Sequence, residues 1–193
     1  MTGWVLASLI VIGGMFMLKI VYALSIAVTL PLTQGALFVS TSRPKLGAVF
    51  DLLSPAPGSL LIDLGCGDGR ILRYASLQYN AKAIGYEVNP LAFCIARLFC
   101  GFNNNIDVLW RNFWSADVSK ADLIFCYLYP DVMSRLAHKL RAEAKPGAMV
   151  ISFNFKLPGW TPVRVMQIAR ARHNDPIYIY KQAAADRHGQ KPI

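Results

Sequence analysis

At 193 residues, 54% of them hydrophobic, the chain has room for one domain of ordinary size and a short appendage, and the first 32 positions hold a disproportionate share of the apolar residues. The formal net charge of +9 is carried mostly by the later part, by Arg135, Lys139, Arg141, Lys145, Arg164, Arg170 and Arg172 among others. An anionic cytoplasmic leaflet accounts for that excess as readily as nucleic acid does. Cys66, Cys94, Cys100 and Cys126 form no Cys-x-x-Cys pair and fall on predicted strands, helices or a glycine loop, so they read as reduced core or near-core thiols.

From Trp4 to Leu32 the single formal charge is Lys19, and the run exceeds the roughly 20 residues that a helix needs to cross a bilayer's hydrocarbon core. One crossing fits and two do not. A span from Trp4 to Tyr22 or Ala23 sets one aromatic residue at each interface, with Lys19 near enough to the second to snorkel. No Lys or Arg precedes the span, whereas Lys19 stands near its second end and Arg43 and Lys45 follow it, so the charge rule predicts a single-pass membrane protein with its C-terminal part in the cytoplasm. A cleaved signal peptide would carry a positive leading region and a shorter apolar run, and a buried core helix would show a polar face. The expected organisation is an anchor over residues 1–32, a polar, turn-rich linker over 33–45, a folded domain over 46–182 and an unstructured tail over 183–193.

Within the domain a helical stretch, Leu46 to Leu53, is followed by a loop at Ser54-Pro-Ala-Pro-Gly58, and then strands and helices alternate. Strands are predicted at Leu60–Leu64, Lys82–Glu87, Ile106–Trp110, Ala121–Tyr127 and Ala148–Phe155, and helices at Arg70–Tyr79, from Asn89-Pro90 to Phe102, and from Pro130 to near Lys145. Asn89 supplies an N-cap and Pro90 the first helical position. Five such strands imply right-handed crossovers and a parallel sheet covered on both faces. Two further strand-like stretches, Pro162–Ile168 and Ile177–Lys181, joined by Asn174-Asp-Pro176, imply an antiparallel hairpin at one sheet edge.

Asp63-Leu-Gly65-Cys-Gly67-Asp-Gly69-Arg70 is the most informative stretch. Glycines after a buried strand let backbone approach a ligand, and the following helix offers free N–H groups. A dinucleotide fingerprint needs a last glycine where Arg70 stands, so the pyrophosphate reading fails on spacing. Glu87, at the end of the second strand, is placed to accept hydrogen bonds from two ribose hydroxyls. The D-x-G-x-G-x-G pattern led by Asp63 resembles motif I of class I methyltransferases, and that resemblance implies a Rossmann-like α/β fold and S-adenosylmethionine as cofactor. It further implies Asp63 beside the cofactor's methionine moiety, the backbone of Gly65 and Gly67 against the ligand, and Asn112 after the third strand against the adenine amino group. The alternative for Asn112 is a turn asparagine followed by two core aromatics.

At the end of the fourth strand stands Phe125-Cys-Tyr127-Leu-Tyr129-Pro130. It lacks the [Asp/Asn]-Pro-Pro-[aromatic] pattern of enzymes that methylate planar nitrogens. An aliphatic amine needs alignment, desolvation and proton loss, and tyrosine rings suit an ammonium. Tyr127 and Tyr129 are therefore the substrate-side candidates, although strand alternation sends both to one face, where they could be core.

Together with Phe38-Val-Ser-Thr41-Ser42, Gly85-Tyr-Glu87-Val-Asn89-Pro90 and Pro158-Gly-Trp160, these segments resemble the membrane-anchored lysine methyltransferases that include the ATP synthase c-subunit enzyme. The resemblance covers almost the whole chain. It implies N-methylation of a lysine in a membrane-associated protein, the bilayer as a second partner, and Thr41 near the cofactor's methionine end. A sulfonium is already activated, so the expected site holds no metal. A small amphiphile such as a lipid or quinone is the alternative substrate, a non-catalytic cofactor-binding protein the alternative class, and a nucleic-acid substrate is favoured by charge alone.

Overall fold

Leu60 to Leu64 is a run with almost no exposed side chain, as a strand covered on both faces requires. It is β1 of a seven-stranded sheet in the order β3-β2-β1-β4-β5-β7-β6. The computed structural model describes residues 2–33, 41–168 and 175–183. In chain order the elements are α1 (Thr2–Thr33), α2 (Arg43–Leu53), β1 (Leu60–Leu64), α3 (Arg70–Tyr79), β2 (Lys82–Glu87), α4 (Pro90–Cys100), β3 (Ile106–Trp110), a 3-10 turn (Phe113–Ser115), β4 (Leu123–Cys126), α5 (Pro130–Glu143), β5 (Met149–Phe153), β6 (Arg164–Met166) and β7 (Ile177–Lys181).

β1 to β5 pair in parallel, and β7 runs antiparallel between β5 and β6, which is the expected hairpin at a sheet edge. Asn174, in the turn expected for that hairpin, lies outside the described residues, as do 34–40 of the expected linker and 184–193 of the expected tail.

Alternation along the strands divides the core in two. Leu61, Val108, Phe125 and Ile151 pack with Val49 and Phe50 of α2, Leu72 and Ala75 of α3 and Ala96 of α4. Ile62, Leu64, Ile124 and Val150 pack with Leu136, Ala137 and Leu140 of α5 on the opposite face. Asn89 caps α4 as expected, its side chain accepting from the Leu91 and Ala92 amides, with Pro90 in the first turn.

Three expectations are corrected. α2 begins at Arg43 rather than Leu46, because Pro44 in its first turn costs no helical hydrogen bond. β4 stops at Cys126, so strand alternation does not extend to Tyr127 and Tyr129. Cys94 is exposed while Cys66, Cys100 and Cys126 are buried; Ala96 and Cys100, one turn apart, face the sheet, and Cys94 points away from them.

α1 spans 32 residues, about 48 Å of helix and more than a hydrocarbon core requires. Gly3–Leu24 within it has a mean hydropathy of 2.2 and none of it is buried, so α1 is not a core helix; it is long and apolar enough to cross a membrane. Exposed Trp4 and Tyr22 lie near the two ends of that stretch.

Candidate active site

The parallel strands end together, and the order β3-β2-β1-β4 reverses direction between β1 and β4. At such a switch point the crevice outside the carboxyl ends of the strands is where open α/β sheets bind ligands. Leu64 and Cys126 pair there, so the glycine loop after β1 and the Tyr127 segment after β4 emerge side by side. A Cβ built on Gly65 would lie 3.5 Å from Leu128 Cδ2.

The loop is held open by left-handed backbone, with φ of 99° at Gly65 and 55° at Gly67, where a side chain would be strained. The Gly65 and Cys66 amides both donate to the Tyr86 carbonyl, at 3.0 and 2.9 Å. The Gly67 amide donates to Glu87 Oε2 at 2.9 Å, and Glu87 Oε1 accepts from the Val88 and Asn89 amides at 2.9 and 2.7 Å. Burial pushes the Glu87 carboxyl above its usual range against the pull of these amides.

Asp63 is buried, and its Oδ2 has no hydrogen-bond partner among the described residues. Burial first, then the Glu87 and Asp68 carboxylates, push its pKa up to about 8. An unpartnered buried carboxyl is costly, and it fits a site completed by a cationic ligand. Ser42 Oγ is the other buried side-chain oxygen without a partner among the described residues.

Arg70, at the position where a dinucleotide site would need glycine, ties the loop to the segment before α2. It donates to Asp68 Oδ2 through Nη2 at 2.7 Å and to the Thr41 carbonyl through Nη1 at 2.8 Å. Burial opposes the charge on Asp68, but the Arg70 guanidinium holds its carboxyl below the usual range. Thr41 is buried against this group.

The structure thus brings Asp63, Gly65, Gly67, Glu87 and Thr41 to the ends of β1 and β2. Asn112 follows β3, and its Oδ1 accepts from the Trp114 amide at 3.0 Å, capping the 3-10 turn. That is the turn-asparagine geometry, with a second lone pair of the same oxygen left over. Trp114 is covered by the Arg135 guanidinium, 4.1 Å from its ring centroid.

After β4, the rings of Tyr127 and Tyr129 take different partners. Tyr127 packs on Phe153 at 5.7 Å and donates its hydroxyl to Asp175 Oδ2 at 3.2 Å. Tyr129 stacks on Phe155 at 6.4 Å. Burial, and then the Asp175 charge, push the Tyr127 hydroxyl up to about 12, so it is a neutral donor at any physiological pH. The same Asp175 oxygen accepts from Lys45 Nζ at 3.4 Å, and Lys45 is only 4% exposed. Among the described residues no group of three metal-binding side chains occurs.

Lys45 and Asp175 join the site without a local sequence signal for it. Asp175 reads as a turn residue and Lys45 as a surface charge, and 130 positions separate them. Arg70 breaks the dinucleotide spacing in the sequence, and its pairing with Asp68 at the helix start is the ordinary reading of those two residues.

A glycine loop locked to an acid at the end of β2, a buried acid beside it and a parallel sheet closed by an antiparallel strand define a class I S-adenosylmethionine-dependent methyltransferase. An RNA methyltransferase from Salinibacter ruber, solved in complex with S-adenosyl-L-homocysteine, superposes with a TM-score of 0.68 at 27% identity, over 75% of this chain and 94% of that one. The chain is 33% identical over 165 residues to the adenine nucleotide translocase lysine N-methyltransferase of Mus musculus, covering 84% of this chain and 68% of the relative. It is 30% identical over 131 residues to the ATP synthase c-subunit lysine N-methyltransferase of Homo sapiens, covering 66% of this chain and 55% of the relative. Residues 63–164 match the ANTKMT methyltransferase domain, and the chain belongs to that family.

Proposed function

We propose that the chain methylates the side-chain amine of lysine in a membrane-associated protein, from a cytoplasmic domain that α1 anchors to the bilayer. The observation that carries the amine is the group at the end of β4: Asp175 and Tyr127 already share a neighbourhood with a buried lysine ammonium, that of Lys45. The names of the two lysine methyltransferase relatives, each with a membrane protein as its target, support the protein substrate. The anchor is assigned to residues 1–32 and the catalytic unit to 46–182 together with Thr41 and the start of α2 before it, with 183–193 as a tail.

When bound, S-adenosylmethionine supplies an activated methyl group on a cationic sulfonium. Asp63 faces the methionine moiety, where its unpartnered oxygen gains a cation, with Thr41 at the same end. Gly65 and Gly67 bring bare backbone to the ligand, Glu87 binds the ribose, and Asn112 offers its remaining lone pair to the adenine amino group. Tyr127 aligns the incoming amine, and Tyr129 shapes the entrance. Methyl transfer of this kind rests on alignment and electrostatics, which fixed side chains can supply.

The deciding experiment incubates the full chain with tritiated S-adenosylmethionine and membranes from cells that lack it. Label in a membrane protein, mapped to lysine by mass spectrometry, is the expected result. Label in the lipid extract or in RNA instead would overturn the substrate reading.

A further inference from the structure

We propose that the face of the domain formed by α2, α3 and α4 lies against an anionic bilayer surface, so that the folded domain, and not α1 alone, contacts the membrane. The proposal rests on the reading of α1 as a membrane anchor.

Exposed apolar side chains are distributed unequally over the domain. Leu52 on α2, Leu77 on α3, Leu98 and Phe99 on α4, Phe102 just beyond it and Trp110 at the end of β3 are all exposed, Phe102 by 96%. α5, which covers the opposite face, exposes no large hydrophobic side chain. Contiguous exposed apolar residues of this kind mark an interaction surface.

Contacts between their neighbours hold Leu52, Leu77, Phe99 and Phe102 on adjoining elements. Tyr79 at the end of α3 donates to Asp51, next to Leu52, at 3.4 Å. Asn103, next to Phe102, donates to Ser76, next to Leu77, at 3.0 Å. The Arg73 guanidinium lies 4.9 Å from the Phe99 ring centroid.

Two observations select a bilayer as the occupant. α4, which carries exposed Leu98 and Phe99, is also an element that α1 contacts, so a membrane crossed by α1 passes beside this face. The segments that carry these residues also hold Arg73, Lys82, Arg97 and Arg111 against the exposed acids Asp51 and Asp107, a positive balance suited to anionic headgroups. Apolar side chains flanked by Arg, with Trp at the rim, have the composition of surfaces that sit in the headgroup layer.

The test uses the full chain in vesicles of phosphatidylcholine with about 30% phosphatidylglycerol. Cys94→Ser removes the one exposed thiol, and Phe102→Cys, Leu98→Cys, Ser134→Cys and Phe16→Cys each then take an environment-sensitive fluorophore. Labels at positions 102 and 98 are expected to be quenched at least about threefold more by nitroxide-bearing lipid, and threefold less by aqueous iodide, than the label at position 134 on α5. The label at position 16 reports the anchor. Lipid quenching at 16 with iodide quenching at 98 and 102 equal to that at 134 would overturn the proposal and leave the anchor standing. Protection of 98 and 102 from both quenchers would also overturn it, by showing a protein cover. Iodide quenching at 16 would remove the anchor and the proposal together.

Discussion

The Gly67 amide donates to Glu87 Oε2 at 2.9 Å, and that bond fastens the loop after β1 to the end of β2. Glu87 already accepts three backbone amides, and a carboxylate offers about four acceptor positions. Two ribose hydroxyls therefore cannot bind without loosening an amide contact. Glu87→Ala should weaken S-adenosylmethionine binding at least tenfold, at about 1.5 to 3 kcal/mol per charge-assisted bond, and lower the melting temperature as well. Glu87→Gln keeps one carbonyl acceptor and should lie between. Calorimetry with unchanged affinity in folded Glu87→Ala would refute the ribose assignment.

Asp63 links cofactor binding to protons. Its folded pKa of about 8 lies above the ordinary 3.8, so the unfolded chain ionises more readily. The stability it contributes is full below about pH 4 and declines as pH rises towards about 8. Asp63→Asn should remove that decline and raise the cofactor-free melting temperature relative to the parent between about pH 5 and pH 8, while reducing cofactor affinity. A cationic ligand favours the ionised acid, so binding near pH 7 should release up to about one proton. Titration in buffers of different ionisation enthalpy measures it, and proton uptake would contradict the assignment.

Gly85 is required for a different reason. A Cβ there would lie 2.6 Å from both Cys66 Sγ and Leu72 Cδ1, under the loop and the first turns of α3. Gly85→Ala should destabilise the domain by about 1 to 3 kcal/mol, as overpacking does, and displace the loop enough to weaken cofactor binding. A denaturation midpoint equal to that of the parent would show that Cys66 and Leu72 give way freely.

What is legible in the sequence is local. The glycine loop, the Asn89-Pro90 helix start and the apolar strand runs each declare themselves within a few residues, and together they set the sheet. The hidden part is held by distant contacts. Lys45, Tyr127 and Asp175 meet because β7 inserts between β5 and β6, which no single segment encodes. Strand alternation would set Tyr127 and Tyr129 on one face, but the strand ends one residue too soon, at Cys126. Glu87 is recognisable as an acid at a strand end, but its three amide donors depend on the loop's folded path.

The bond from Tyr127 to Asp175 separates alignment from packing at the end of β4. Tyr127→Phe keeps the ring on Phe153 and removes only the hydroxyl that Asp175 accepts, so the fold and cofactor affinity should persist within a few-fold. Methyl transfer to membrane protein should fall by about tenfold, because an interaction that orients the amine acts on the transition state more than on the bound cofactor. Tyr127→Ala also removes the ring that could face an ammonium, and the loss should reach about a hundredfold with cofactor binding still within a few-fold. Tyr129→Ala, whose ring stacks on Phe155 beside the first turn of α5, should be milder. Asp175→Asn keeps an acceptor for Tyr127 but leaves the buried Lys45 ammonium without its ion pair, so it should lower stability as well as turnover. The core alternative orders these variants differently: stability, cofactor binding and turnover would fall in proportion in Tyr127→Ala, and Tyr127→Phe would be nearly silent. Measuring melting temperature, cofactor affinity and methyl incorporation on the same preparations decides between them, and proportional losses at Tyr127 would remove it from the substrate side while leaving the cofactor site untouched.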